Sequence, residues 1–419
     1  MTAIAAPRRV VANMFAKGTA FVVEKAAQMA LGIVAAHFLG TAGFGRYSFA
    51  SNLAVLLAFG SDLGLTTWST RALARNPERS VPVLGTGLRL RLGASAIVTV
   101  ALLGVGLCTG DRAMAVALFA LGIAALTRGL CDHARAVFRA HERLGDESKL
   151  NVMVGVLGMG GGIVGLLAGA RGIAAPALGI MAGTFAGAVY GFVLLGRNYG
   201  PWAGPADWTL ARRMLREAAP FWLGGAFTLI YARADVLLLK PLASDAEVGV
   251  YRAAGQIVEG IKQLPMLLMT ATFPQLARAF QESRQALARV ERTLIWLLLA
   301  GGVLVAATMA ATAEPLVGLV LGPAFGRSVL VLRLLAFALP LQFVNCGLLH
   351  FFVARDRGVL NMAFAGAMVV VSGAANLAFD RRFGAMGAAL ATVVMEMSLL
   401  ACCVLALRVL RRADAPTTD

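Results

Sequence analysis

The chain has 419 residues, of which 59% are hydrophobic and only 14% charged, and its mean hydropathy is +0.76. This composition is typical of membrane proteins and leaves no room for a large soluble domain. The net charge of +16 does not indicate nucleic-acid binding, because arginines and lysines gather at the ends of apolar stretches and form no basic stripe with interleaved aromatic residues.

Twelve apolar stretches follow one another along the chain, each long enough to cross a bilayer. About 20 apolar residues are needed to cross roughly 30 Å of hydrocarbon, and backbone groups in lipid must bond internally, so these stretches are predicted to be helices. The sequence therefore predicts an all-α polytopic membrane protein. The predicted spans cover residues 11–39, 44–70, 84–108, 112–138, 149–170, 173–196, 214–240, 247–273, 290–312, 326–353, 358–379 and 384–410.

The basic residues between the spans predict the orientation. Successive connections lie on alternate sides of the membrane and so form two sets. The set on the side of the termini holds 24 arginines and lysines, and Arg91 is counted in it. The opposite set holds 8, and Arg252 is counted in it. Because cytoplasmic loops carry the excess of positive charge, we expect both termini on the cytoplasmic side of the membrane. Arg8 and Arg9 are not followed by a short apolar core and a cleavage site, so no cleaved signal peptide is expected.

The two halves of the chain resemble each other. Gly45–Tyr47 reappears as Gly249–Tyr251, and Ala140–Arg143 resembles Ala354–Arg357. Six spans per half would give both halves the same orientation, as in transporters built from parallel repeats. The predicted domains are a six-helix bundle at 1–196, a cytoplasmic linker at 197–213 and a second six-helix bundle at 214–419.

Three segments carry a resemblance to a known family. Leu39–Arg75, Arg233–Arg278 and Gly322–Asn361, the last followed by Phe383–Thr392, resemble polysaccharide-export flippases of the Wzx type. These belong to the multidrug/oligosaccharidyl-lipid/polysaccharide (MOP) exporter superfamily. The resemblance implies two pseudo-symmetric six-helix bundles around a central cavity. It also implies that the substrate is an oligosaccharide linked to undecaprenyl diphosphate. Twelve spans differ from the fourteen usual in the lipid II flippase branch.

Ionisable side chains lie inside several predicted spans, where each costs roughly 2.5–3.5 kcal/mol on insertion scales. Such groups are expected to face water or to pair with one another. They are Glu24 and Lys25 in the first span, Asp62 in the second, Arg128 and Asp132 in the fourth, Arg233 and Asp235 in the seventh, Glu259 and Lys262 in the eighth, and Glu396 in the twelfth.

We predict that four of these cations, Lys25, Arg128, Arg233 and Lys262, line a positively charged cavity between the halves. Guanidinium and ammonium groups bind the negative charges of a diphosphate through charge-assisted hydrogen bonds. The alternative is that they only neutralise neighbouring acids. The pairs would then be Glu24–Lys25, Arg128–Asp132, Arg233–Asp235 and Glu259–Lys262.

Asp62, Asp235 and Glu396 are candidates for binding a coupling ion, either a proton or sodium. For Asp62, which lies between Gly60 and Gly64, a capping or hinge role is the alternative. The five cysteines show neither metal-ligand nor redox spacing, so no metal and no cofactor are expected.

The sequence therefore predicts a lipid flippase and not an enzyme. Its expected partners are the polyprenyl-diphosphate-linked glycan, membrane lipid, a coupling ion and a polysaccharide polymerase complex. One rival is a MATE-type drug antiporter, which would favour an acidic cavity. Another is a membrane glycosyltransferase or polymerase, which would require larger outer loops than these connections provide.

Overall fold

The computed structural model describes residues 7–75, 80–170, 172–198 and 207–413. Apolar stretches with few helix-breaking residues give long helices, and short turns connect them. The helices are α1 (Pro7–Asp62), α2 (Leu65–Arg75), α3 (Ser80–Cys108), α4 (Arg112–Ala140), α5 (Leu144–Leu167), α6 (Ala174–Asn198), α7 (Trp208–Leu242), α8 (Asp245–Ile261), α9 (Gln263–Glu282), α10 (Arg284–Val320), α11 (Ser328–Ala354), α12 (Val359–Phe383) and α13 (Ala385–Ala413), with a short 3₁₀ helix at Pro323–Phe325.

The first two predicted spans are joined in α1, which breaks at Gly40. That residue has φ 64° and ψ −176°, a conformation that glycine adopts without a steric penalty. A straight helix of its 56 residues would be about 84 Å long, far more than the roughly 30 Å of hydrocarbon. Arg46, just after the break, forms an ion pair with Asp111 at the start of α4. The α1 break and the α3–α4 turn therefore lie together, as the predicted alternation of sides requires.

Within the described residues, ten helical segments are long and apolar enough to cross a membrane. The first of them, Gly18–Arg75, contains two predicted spans. The predicted eighth span is divided into α8, with 17 residues, and α9, with 20. If Gly18–Arg75 is counted as two spans, and α8 with α9 as one further span, the ten segments become the predicted twelve spans. The prediction of an all-helical multi-pass protein is confirmed.

The chain divides into two compact units, Met1–Leu223 and Gly224–Asp419. This division falls inside α7, so the beginning of α7 packs with the first unit. The predicted linker at 197–213 lies partly outside the described residues, and its role as the domain boundary stays a prediction.

The beginning of α7 is fixed by Asp207. Its carboxylate accepts hydrogen bonds from the Thr209 hydroxyl at 2.5 Å and from the backbone amides of Thr209 at 2.9 Å and Leu210 at 3.1 Å. These bonds satisfy amide groups that have no partner within the helix. The hydrogen bonds, led by that from the Thr209 hydroxyl, lower the pKa of Asp207.

The first turns of α7 pack against the junction of α1 and α2. Trp68 Nε1 donates to Glu217 Oε2 at 2.8 Å, and Trp222 Nε1 donates to the Phe59 carbonyl at 3.3 Å. Gly64 lies so close that an added Cβ would be 2.9 Å from the carbonyl oxygen of Ala218. The glycine therefore permits backbone contact between α7 and the junction.

Glycines also bring α5 and α6 into backbone contact. A Cβ added to Gly183 would lie 2.1 Å from the backbone nitrogen of Gly158, and one added to Gly179 would lie 2.1 Å from that of Gly162. In lipid there is no hydrophobic force between helices, so close packing through small residues is an important source of attraction. The glycine-rich stretch of α5 therefore serves helix packing.

One turn appears in both halves, at Phe138–Arg143 and Phe352–Arg357. In each, the amide of the last residue donates to the carbonyl of the first at 2.8 Å. The fifth residue has positive φ in both, 56° at Glu142 and 57° at Asp356. This part of the predicted sequence repeat is therefore a repeat of structure.

Candidate functional site

In the first unit, Asp62 occupies the end of α1, where the second span is interrupted. The next two residues, Leu63 and Gly64, have φ of 51° and 72° and separate α1 from α2. Asp62 Oδ1 accepts hydrogen bonds from the Thr66 hydroxyl at 2.5 Å and from Arg91 Nη1 at 2.9 Å. Asp62 therefore caps α2 and forms an ion pair with α3, which is the role that the sequence left as the alternative to ion coupling.

A second group of charges in this unit centres on Arg135 of α4. It donates to Asp132 Oδ1 at 2.5 Å and to Asn151 Oδ1 of α5 at 2.7 Å. Asp132 thus pairs with Arg135 and not with Arg128, which lies one turn away on the same face and is exposed. Arg128 still acts electrostatically on Asp132. Its guanidinium is therefore left outside the ion pair that the sequence offered as the alternative.

Glu24 and Lys25 of α1 differ in their burial. Glu24 is partly buried beside Gly155 of α5, whose added Cβ would lie 3.4 Å from Glu24 Cγ, and it acts electrostatically on Arg135. Lys25 is exposed and donates to Gln28 at 3.2 Å. In the first unit, the two site cations Lys25 and Arg128 are thus both exposed within predicted spans.

In the second unit, Glu259 of α8 joins two arginines. It accepts hydrogen bonds from Arg252 Nη1 and Nη2 at 3.2 Å and 3.3 Å, and from Arg233 Nη1 of α7 at 3.2 Å. Two guanidinium groups therefore share one carboxylate, which leaves an excess of one positive charge. Glu259 binds these arginines and not Lys262, its partner in the sequence-based alternative.

Beside Glu259 and its two arginines lies a set of oxygen-bearing side chains. The Tyr251 hydroxyl donates to Asp235 and lies 3.2 Å from the Thr392 hydroxyl. Asp380 acts electrostatically on Asp235, and its side chain is only 1% exposed. Neither carboxylate oxygen of Asp380 has a hydrogen-bond partner in the described part of the chain, and the same holds for Oδ1 of Asn376, one helical turn earlier.

Such a set has the chemistry of a small-cation site. Two carboxylates, an amide oxygen and a hydroxyl are hard ligands that suit sodium, and a carboxylate also binds a proton. A buried carboxylate without a donor costs several kcal/mol, so a bound cation or proton would stabilise Asp380. No group of three His, Cys, Asp or Glu side chains suited to a metal ion occurs among the described residues.

Glu396 lies on α13 and is 8% exposed. Asn345 of α11 donates its amide to Glu396 Oε2 at 2.8 Å and to the Glu396 carbonyl at 3.0 Å. Lys262 forms the junction of α8 and α9 and is exposed. It acts electrostatically on both Glu259 and Glu396.

The second span of each half is thus interrupted, after Asp62 in the first unit and at Lys262 in the second. Broken helices at corresponding positions of two repeats mark substrate and ion sites in many secondary transporters. The charged residues at the two interruptions, Asp62 and Lys262, were both selected as candidate site residues from the sequence.

A sequence model described as polysaccharide biosynthesis protein matches residues 10–280, more than half of the chain. The chain belongs to the polysaccharide biosynthesis protein family. The resemblance to Wzx-type members of the MOP superfamily is thereby confirmed at the level of the family. No curated protein sequence matches the chain.

Solved structures similar to this family member are transporters of the MOP superfamily. An inward-facing multidrug resistance MATE transporter is 16% identical, with a TM-score of 0.75 over 94% of this chain and 96% of that one. The lipid II flippase MurJ in an inward closed conformation is 11% identical, with a TM-score of 0.72 over 95% and 87%.

A third similar structure comes from Pyrococcus furiosus. It is 16% identical, with a TM-score of 0.64 over 96% and 94% of the two chains, and is described as a MOP transporter whose reversed binding-pocket polarity suggests a different function. These likenesses confirm the two-lobed transporter fold that the sequence predicted.

Two residues of the site, Arg91 and Asp380, escaped the sequence analysis. Arg91 was counted only among the connections, yet its side chain is buried, with an exposure of 2%. Short polar stretches look alike at loops and at buried ion pairs, so the sequence around Arg91 did not indicate its burial. Arg252, counted among the connections as well, was also placed on one face of the eighth predicted span with Glu259, and its side chain is 15% exposed. Asp380 was overlooked because it precedes Arg381 and Arg382 and therefore resembles a loop residue.

Proposed function

We propose that this family member is a flippase that moves a polyprenyl-diphosphate-linked glycan from the cytoplasmic to the outer leaflet of a bacterial inner membrane by alternating access. Both termini would lie in the cytoplasm. The observation that carries the proposal is the exposure of Arg128 within a predicted span of a protein from a polysaccharide biosynthesis family.

Lys25 and Lys262 support the same reading, because they too are exposed within predicted spans. An exposed cation at bilayer depth is costly in hydrocarbon and stable in water, so we expect these side chains to face an aqueous path. Arg233 is held by Glu259 and would contribute through the excess charge of the two-arginine group. A diphosphate is the complementary ligand, and its polyprenyl tail would stay in lipid.

Deletion of the gene followed by lipid analysis tests the function. We expect loss of surface glycan and accumulation of lipid-linked repeat units on the inner leaflet. A MATE-type drug antiporter, the alternative that the sequence left open, predicts instead a gain in drug sensitivity with normal surface glycan. That second result would reject the flippase proposal.

The oxygen set around Asp380 is the proposed coupling site. In proteoliposomes carrying a labelled lipid-linked glycan, we expect a sodium or proton gradient to accelerate transport by the wild type. Asp380→Asn removes the buried charge that would attract the cation, so its transport should lose about tenfold or more of that acceleration.

Asp356→Asn is the matched control for this prediction. Asp356 is exposed in a turn at φ 57°, which asparagine also tolerates. The control should respond to the gradient as the wild type does. An undiminished gradient response in Asp380→Asn would show that coupling does not use this site.

A further inference from the structure

Arg128, Asp132 and Arg135 form an accessible stripe on α4, a helix that is otherwise largely buried. Of the ten segments in the described residues that could cross a membrane, α4 has the largest buried share. The three residues are four and three positions apart and so share one face, while Cys131 and Ala134 between them are fully buried. Because charged side chains are costly in hydrocarbon, we expect this stripe to face water.

Arg135 fixes the orientation of two polar side chains on neighbouring helices. Its Nη1 donates to Oδ1 of Asp132 at 2.5 Å, and its Nε donates to Oδ1 of Asn151 on α5 at 2.7 Å. Because a guanidinium only donates hydrogen bonds, the Asn151 amide turns its oxygen towards Arg135 and its nitrogen away. The second carboxylate oxygen of Asp132 and the amide nitrogen of Asn151 have no partner in the described part of the chain.

These two remaining groups form a matched acceptor and donor on partly exposed side chains. A sugar ring carries neighbouring hydroxyl groups, and each hydroxyl can both donate and accept hydrogen bonds. One hydroxyl can donate to the Asp132 carboxylate in a charge-assisted bond, while the next accepts from the Asn151 amide. The pair therefore has the chemistry of a sugar-binding subsite.

Arg128 lies beside this pair on the same helix. Its guanidinium is exposed and forms no ion pair among the described residues. Residues four apart on a helix, as Arg128 and Asp132 are, have Cβ atoms about 5–6 Å apart. The first sugar of a lipid-linked glycan is joined to the diphosphate through a single oxygen atom. Phosphate oxygens at Arg128 would therefore bring the hydroxyls of that sugar to Asp132.

We propose that Asp132 and Asn151, both held by Arg135, bind the sugar that is attached directly to the diphosphate. This rests on the proposed function, in which Arg128 binds the phosphates. The pair adds contacts that only a glycan-bearing lipid can make. The site would thus bind the loaded carrier in preference to the bare polyprenyl diphosphate.

The test compares two probes by isothermal titration calorimetry on the full chain in nanodiscs. Both probes are diesters of farnesyl diphosphate. One carries a hexose on its second phosphate, and the other carries a methyl group in the same place. Both have the same charge, so the ratio of their affinities isolates the sugar contact. We expect the wild type to bind the hexosyl probe about tenfold or more tighter than the methyl probe.

Asp132→Asn replaces a charge-assisted hydrogen bond by a neutral one, so the preference for the hexosyl probe should fall about fivefold. The methyl probe should meanwhile bind more tightly, because loss of the carboxylate strengthens the positive field around Arg128. A misfolded protein would instead lose affinity for both probes. Asn151→Ala should also lower the preference about fivefold, and it leaves Arg135 paired with Asp132.

Asp356→Asn makes the same chemical change at an exposed turn residue and should behave as the wild type with both probes. Equal affinity of the wild type for the two probes would overturn the inference, and so would an undiminished preference in either variant. The flippase proposal would stand in both cases. Failure of the wild type to bind either probe would reject the proposed function and this inference with it.

Discussion

Replacement of Arg128 by glutamine is expected to abolish surface glycan while the protein stays at wild-type levels in the membrane. Arg128 is exposed and Asp132 keeps its partner Arg135, so the change leaves no buried acid unpaired. The proposed substrate would lose a guanidinium that binds its phosphates through charge-assisted hydrogen bonds. A glycan-specific stain together with an immunoblot of membranes measures both quantities.

Lys149→Gln is the control for this prediction. Lys149 is an exposed base near the beginning of α5, with a side-chain exposure of 69% and an ion pair of 4.0 Å to Asp146. It should leave export unchanged. Arg128→Lys should retain part of the export, because the charge remains but the two-pronged geometry of arginine is lost. Full export by Arg128→Gln would reject the role assigned to this residue.

Replacement of Arg233 by glutamine is also expected to lower export of the surface glycan. Arg233→Gln leaves Glu259 paired with Arg252, so the protein should still fold. Export should fall because the two-arginine group loses its excess positive charge.

Replacement of Gly183 by alanine is expected to destabilise the first unit severely. The new Cβ would lie 2.1 Å from a backbone nitrogen of α5, and a backbone cannot move aside as a flexible side chain can. Overpacking usually costs about 1–3 kcal/mol, and contact with backbone places this site at about the upper end of that range. Thermal unfolding in detergent, followed by size-exclusion chromatography, should show a lower transition temperature and aggregation.

The matched control lies in the facing helix. Gly160 of α5 has nothing within 4 Å of an added Cβ. Gly160→Ala should therefore be neutral or stabilising, by up to about 1 kcal/mol, since alanine favours a helix more than glycine does. Equal stability of the Gly183 and Gly160 variants would contradict the close approach of α5 and α6.

The sequence was sufficient for the membrane class, the number of spans, the internal repeat and the family. These follow from hydropathy over windows of about 20 residues and from short segments that recur in order. Such signals are local, so no knowledge of neighbouring helices is needed.

The pairing of the charges was decided by the tertiary structure. Asp62 meets Arg91 from 29 positions away, and Glu396 meets Asn345 from 51 positions away. Helical spacing shows which side chains share a face of one helix, but not which neighbouring helix that face meets. The sequence therefore selected Lys25, Arg128, Arg233 and Lys262 as a set. Only the packing of the helices distinguished the arginine held by a carboxylate from the cations left exposed.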